Sequence, residues 1–210
     1  ARTANPTYLC LHPDRPYLYA ANEVGDAQGE RSGAVSAYAI GEGGALTLLN
    51  EQSSHGTSAC YVSVDGGGRY VLVANYSSGT VAALPIQGGG ALGEASDVVQ
   101  HQGSGADPQR QDGPHAHCIV PDPGGQFILS CDLGADRVMV YRLDTEAGRL
   151  LPATTPSVRL APGAGPRHVA FHPNGRWAYV INELGNTMAA FTYDPDLGLL
   201  TEIGDVSTLP

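Results

Sequence analysis

Lysine is absent from this chain of 210 residues: its 11 basic side chains are all arginine, set against 21 acidic ones for a net charge of −10. The absence excludes a Schiff-base lysine mechanism. With no basic cluster to hold phosphates, neither nucleic acid nor an anionic membrane surface is expected as a partner. Genomic base composition is a sufficient cause of arginine in place of lysine. No apolar run approaches the roughly 20 residues of a membrane span, and no charged, apolar and cleavage-site pattern marks a signal peptide. A cytoplasmic protein is expected, although with Ala1 first an upstream targeting segment stays an open alternative. Cysteine is scarce too. Cys10, Cys60, Cys118 and Cys131 form no Cys-x-x-Cys pair and no zinc spacing, so they are expected to be small buried free thiols. No metal and no cofactor is expected. Helical periodicity over three turns is also missing, which makes the chain all-β.

What is present is a repeat. Leu11-His12-Pro13-Asp14-Arg15-Pro16-Tyr17-Leu18-Tyr19-Ala20-Ala21-Asn22 registers without a gap on Phe171-His172-Pro173-Asn174-Gly175-Arg176-Trp177-Ala178-Tyr179-Val180-Ile181-Asn182. Val64 to Asn75 and Pro121 to Asp132 repeat the pattern, and the closing residues Asn22, Asn75, Asp132 and Asn182 lie 53, 57 and 50 positions apart. Short β-branched and aromatic runs, punctuated by Gly and Pro at that period, indicate β-propeller blades of four antiparallel strands. A marker opens each fourth strand: Gly44-Ala45-Leu46, Gly90-Ala91-Leu92, Gly148-Arg149-Leu150 and Gly198-Leu199-Leu200. The blades fall at about 5–56, 57–112, 113–164 and 165–210. Because nothing reads as a closing strand that returns to the first blade, part of a longer propeller is expected. Two long connections stand out. Val35 follows Asn22 by 13 residues, predicting an exposed excursion over Gly25 to Ser32, and the polar stretch His101 to Gly113 is expected near the rim with Arg110 available to an anion.

The repeat also places side chains. In an antiparallel hairpin the residue just before strand one lies beside the residue just after strand two. That rule sets Arg167 by Glu183, His117 by Asp132 and Leu133, and Cys60 by Asn75 and Tyr76. His115, His117, Asn75, Asp132, Arg167, Asn182 and Glu183 then share one rim of the channel. Imidazoles, a carboxylate and an arginine fork suit proton transfer and anion binding. Three plainer readings stay open: Arg167 and Glu183 as a cross-strand ion pair, Gly113 to His117 as a turn whose histidines bond backbone, and the His-x-His pair as half of a metal site lacking its third ligand.

Gly163-Ala164-Gly165-Pro166-Arg167-His168-Val169-Ala170-Phe171-His172-Pro173-Asn174-Gly175, followed by Ala178 to Leu184, resembles the signature of the bacterial lactonase propeller family. Tyr70 to Gly79 and Gln109 to His117 resemble it as well, so the likeness covers essentially all 210 residues. It implies a seven-bladed propeller, of which four blades are here, and a lactone as small-molecule partner. The activities it implies are hydrolysis of a sugar lactone by a 6-phosphogluconolactonase-like enzyme of the pentose phosphate pathway, or closure by a carboxymuconate-type lactonising cycloisomerase. A non-catalytic binding platform is the remaining class. By the resemblance the catalytic residues match His117 (or His115), Arg167 and Glu183; from residue type and hairpin neighbours, Glu183 is the expected base with Arg167 beside it, and His117, with His115 as substitute, the expected proton donor. His115, Arg110, Asn75, Tyr76, Asp132 and Asn182 are expected to bind substrate.

Overall fold

The computed structural model describes residues 1–25 and 32–210. Four antiparallel sheets, each of four strands in chain order, make up nearly all of it. The first blade holds β1 (Pro6–Leu11), β2 (Tyr17–Asn22), β3 (Ala34–Ile40) and β4 (Leu46–Ser53). The second holds β5 (Ala59–Val64), β6 (Tyr70–Asn75), β7 (Thr80–Pro85) and β8 (Asp97–Gln100). In the third are β9 (Ala116–Pro121), β10 (Phe127–Asp132), β11 (Arg137–Asp144) and β12 (Arg149–Arg159), and in the fourth β13 (Pro166–Phe171), β14 (Trp177–Asn182), β15 (Thr187–Asp194) and β16 (Leu199–Ser207). Among the described residues the only helix is a 3₁₀ turn at Glu42–Gly44, as the missing periodicity requires. No helix of the described residues is long and apolar enough to cross a membrane. Of the excursion expected over Gly25 to Ser32, residues 26–31 lie outside the described residues.

Sheets stack face on face, which explains the unbroken apolar runs: β6 and β10 are buried at every position because a neighbouring blade covers each side. One core runs from the second blade to the fourth through Leu72, Ile119, Phe127, Leu129, Val180 and Phe191, and another joins the first to the second through Tyr19, Val62, Val73 and Leu84. The hairpin between the first two strands is tied at one repeated position. Asp65 Oδ1 accepts from the amides of Arg69 and Tyr70, Asp122 Oδ1 from those of Gln126 and Phe127, and His12 Nδ1 from those of Asp14 and Arg15. The inner strands β1, β5, β9 and β13 follow one another around the channel.

Each inner strand carries one β-bulge near its start. The pairings Pro6↔Asn22 then Tyr8↔Ala21, Ala59↔Asn75 then Tyr61↔Ala74, Ala116↔Asp132 then Cys118↔Cys131, and Pro166↔Asn182 then His168↔Ile181 leave Thr7, Cys60, His117 and Arg167 without a partner in the ladder. A bulge re-aims the side chain it holds. The hairpin rule assumed unbroken alternation and is therefore off by one: Ala59 sits opposite Asn75 and Ala116 opposite Asp132, while Cys60 and His117 are turned toward the channel mouth.

Candidate active site

The four bulged residues line one cleft of about 660 Å³ at the channel mouth, together with Tyr8 and His168, which follow two of the bulges. A second set comes from the turns that close strand two, where Glu23, Tyr76 and Glu183 hold the same repeat position. Arg110 completes the wall from the connection His101 to Gly113, which thus reaches the rim. Glu183 is the hub. Arg167 Nη1 donates to its Oε2, Arg110 Nη2 donates to its Oε1 at 2.6 Å, and His117 Nε2 lies 3.7 Å from Oε2. Arg110 Nη2 also donates to the Tyr76 hydroxyl at 3.3 Å.

Electrostatics separate these groups. Partial burial pushes the Glu183 carboxyl up, but hydrogen bonds from Arg110 and Arg167 outweigh it and hold the group below the usual carboxylate range. His117 is lowered from its ordinary value by burial and then by the Arg167 charge. Burial, with His117 and Arg167 next, lowers His168 to about 4. Near neutral pH the cleft therefore holds two uncharged imidazoles beside an ionised carboxylate clamped between two guanidiniums. The His117 and His168 rings meet edge to face at 5.6 Å. Burial, then the neighbouring Cys118, pushes the Cys60 thiol up to about 12, so it is no nucleophile at neutral pH.

His117, Arg167, Glu183, Arg110 and Tyr76 come together as expected from the sequence, and four expected neighbours do not line the cleft. His115 stacks on Tyr76 at 4.6 Å and bonds the Tyr76 carbonyl through Nδ1 at 3.0 Å. Asn75 and Asn182 are buried and donate to Thr80 and Thr187 inside their own hairpins. Asp132 is fully buried, its Oδ1 accepting the amides of His115 and Ala135 and its Oδ2 facing His101 Nδ1 at 2.6 Å. Their side chains turn inward to satisfy the turn instead of facing the channel. Missed from the sequence were His168, Thr7, Tyr8, Cys60 and Glu23. Glu23 and Thr7 had a signal, since the repeat aligns them with Glu183 and Arg167. Among the described residues no cluster of three or more His, Cys, Asp or Glu could hold a metal ion.

Fold and cleft together define a β-propeller with a charged cleft at the ends of its inner strands. The chain belongs to the family described as lactonase, 7-bladed beta-propeller, whose model matches residues 1–210. It is 40% identical over 215 residues to a 6-phosphogluconolactonase of Bacillus subtilis, a match covering 100% of this chain and 58% of the relative. The crystal structure of a putative 6-phosphogluconolactonase from Bacteroides fragilis is similar with a TM-score of 0.91 at 39% identity, covering 99% of this chain and 58% of that one. A periplasmic gluconolactonase of Pseudomonas aeruginosa is similar with a TM-score of 0.92 at 35% identity, covering 100% and 59%. The chain thus spans a little under three fifths of the length of these relatives.

Proposed function

We propose that the cleft hydrolyses a sugar lactone of the 6-phosphogluconolactone type, opening the ring ester to the free acid. The observation that carries this reading is that His117, Arg167, Glu183 and Arg110, drawn from separate segments, meet over one cleft in a chain of the lactonase family. Two of the relatives bear the names of sugar lactonases. The four unpaired thiols suit a reducing compartment, so the cytoplasm is the proposed setting.

The roles differ from those the residue types alone suggest. Glu183 has both carboxylate oxygens engaged by guanidiniums, which makes it a poor base and a good anchor. His117, kept neutral by burial and then by Arg167, is left to act as the base. Its Nε2 takes a proton from a water whose oxygen bonds to the lactone carbonyl carbon, and the charge moving onto the carbonyl oxygen meets N–H groups of Arg167. When the adduct collapses, the bond from carbonyl carbon to ring oxygen breaks, and the departing oxygen receives the proton from the imidazolium. Glu183 stabilises that imidazolium in the interval. Arg110, exposed at the rim, binds the substrate's anionic tail.

The test is acid release by the full-length protein from 6-phosphogluconolactone, gluconolactone and carboxymuconolactone. His117→Ala, Arg167→Ala and Glu183→Gln should each lower turnover of the sugar lactones by roughly 10²- to 10⁴-fold. Turnover of carboxymuconolactone alone would assign the cycloisomerase reading. All three variants within a few-fold of wild type would leave a structural ion pair on a binding platform.

A further inference from the structure

We propose a second ligand site, between the second and third blades, for a small organic anion with an apolar body. A cavity of about 430 Å³ opens between the end of β8 and the strands β11 and β12. A backbone irregularity makes the room. Met139 pairs with Ser157 and Tyr141 with Pro152, so β12 advances five residues while β11 advances two, and Ala153 to Pro156 leave the ladder. The equivalent pairs in the first and fourth blades carry a bulge of one residue only, at Ala37/Tyr38 and at Ala190/Phe191. Enlarged bulges are a recurrent way to open a sheet edge beside a site.

The lining specifies the ligand. Arg137, half-buried, donates to the Ser157 hydroxyl at 2.9 Å, and no carboxylate lies within ion-pair reach of it among the described residues. An unpaired guanidinium in a recess suits a carboxylate, which its fork can hold by two parallel bonds. The walls beside it are Tyr141, Met139, Pro152 and Pro156, suited to the apolar body of such a molecule. His101 is buried in the same wall, its Nδ1 2.6 Å from Asp132 Oδ2. None of these residues belongs to the cleft around Glu183.

Benzoate is the probe, with neutral benzamide as its control, and binding is followed by amide chemical shifts on the whole chain. Expected are saturable shifts for residues 137–141 and the non-proline residues of 152–157 with benzoate, at least tenfold weaker binding of benzamide, and at least tenfold weaker benzoate binding to Arg137→Gln. Arg167→Ala should leave benzoate affinity unchanged. Absence of saturable shifts, shifts centred on residues 167–183, or an Arg137→Gln affinity equal to wild type would overturn the proposal. Should Arg137→Gln fail to fold, the wild-type shift map and the benzamide comparison decide it alone.

Discussion

At the scale of single residues, burial and charge make signed predictions. If neutral His117 is the base, kcat/KM holds constant above pH 6.5 and falls as the pH drops through its lowered pKa. Arg167 is the second cause of that lowering and Glu183 opposes it. The residual activity of Arg167→Ala should therefore show its acid limb moved up toward 6.5, and that of Glu183→Gln should show it moved down. A limb that stays put in both variants would remove His117 from the role. His168 bears on stability instead. Its folded value of about 4 lies below the unfolded value of about 6.5, so the unfolded chain takes up the proton first. The neutral ring's contribution is full above pH 6.5 and is lost as the pH falls toward 4. Urea midpoints at pH 7 and pH 5 should differ less for His168→Asn than for wild type, and an equal difference would refute this. Sequence reasoning could reach Arg167, Glu183 and His117 because a motif and a hairpin rule named them. It could not reach His168, since strict alternation points neighbours to opposite faces and only the bulge at Arg167 brings both to the cleft.

At the scale of elements, the connection His101 to Gly113 was legible as a rim segment from its length and polarity, but not what fastens it. Gln111 does so from a buried position, donating to the Leu133 carbonyl at 2.8 Å and to Asp136 Oδ1 at 2.7 Å. The turn it grips passes so close that a Cβ at Gly134 would lie 1.9 Å from the Gly113 carbonyl oxygen and 2.9 Å from the His115 ring. The first of these is backbone and cannot rotate aside. Gly134→Ala should thus cost about 1 to 3 kcal/mol through overpacking. It should also shift the segment that carries Arg110, raising KM for an anionic substrate more than it lowers kcat. Thermal unfolding together with steady-state kinetics checks both parts, and an unchanged KM would mean that the rim segment is held independently of this turn.

At the scale of the whole molecule, the repeat forecast the blades, and the joints between them were written in the same letters without being legible as joints. The aromatic residue that opens strand two packs on the marker glycine of the following blade. Tyr17 meets Gly90, Tyr70 meets Gly148, and Phe127 meets Gly198, each within 3.0 Å of where a Cβ would stand. Trp177, fourth in the series, is 38% exposed. From one strand at a time the aromatic reads as ordinary core and the glycine as an ordinary turn, because their contact spans two repeats. Gly44 supplies the control. It holds the marker position of the first blade at φ +78°, with nothing within 4 Å of its would-be Cβ, whereas Gly198 has φ +66° and the Phe127 ring 2.5 Å away. Alanine at either site suffers the left-handed backbone, at about 1 to 2 kcal/mol. Only at Gly198 must it also displace a fully buried ring, adding about 1 to 3 kcal/mol. Chemical unfolding should find Gly198→Ala less stable than Gly44→Ala by that second amount, with Phe127→Leu narrowing the gap by making room. Equal losses at the two glycines would mean that the blades are held by their shared apolar faces alone and that the aromatic contact adds nothing.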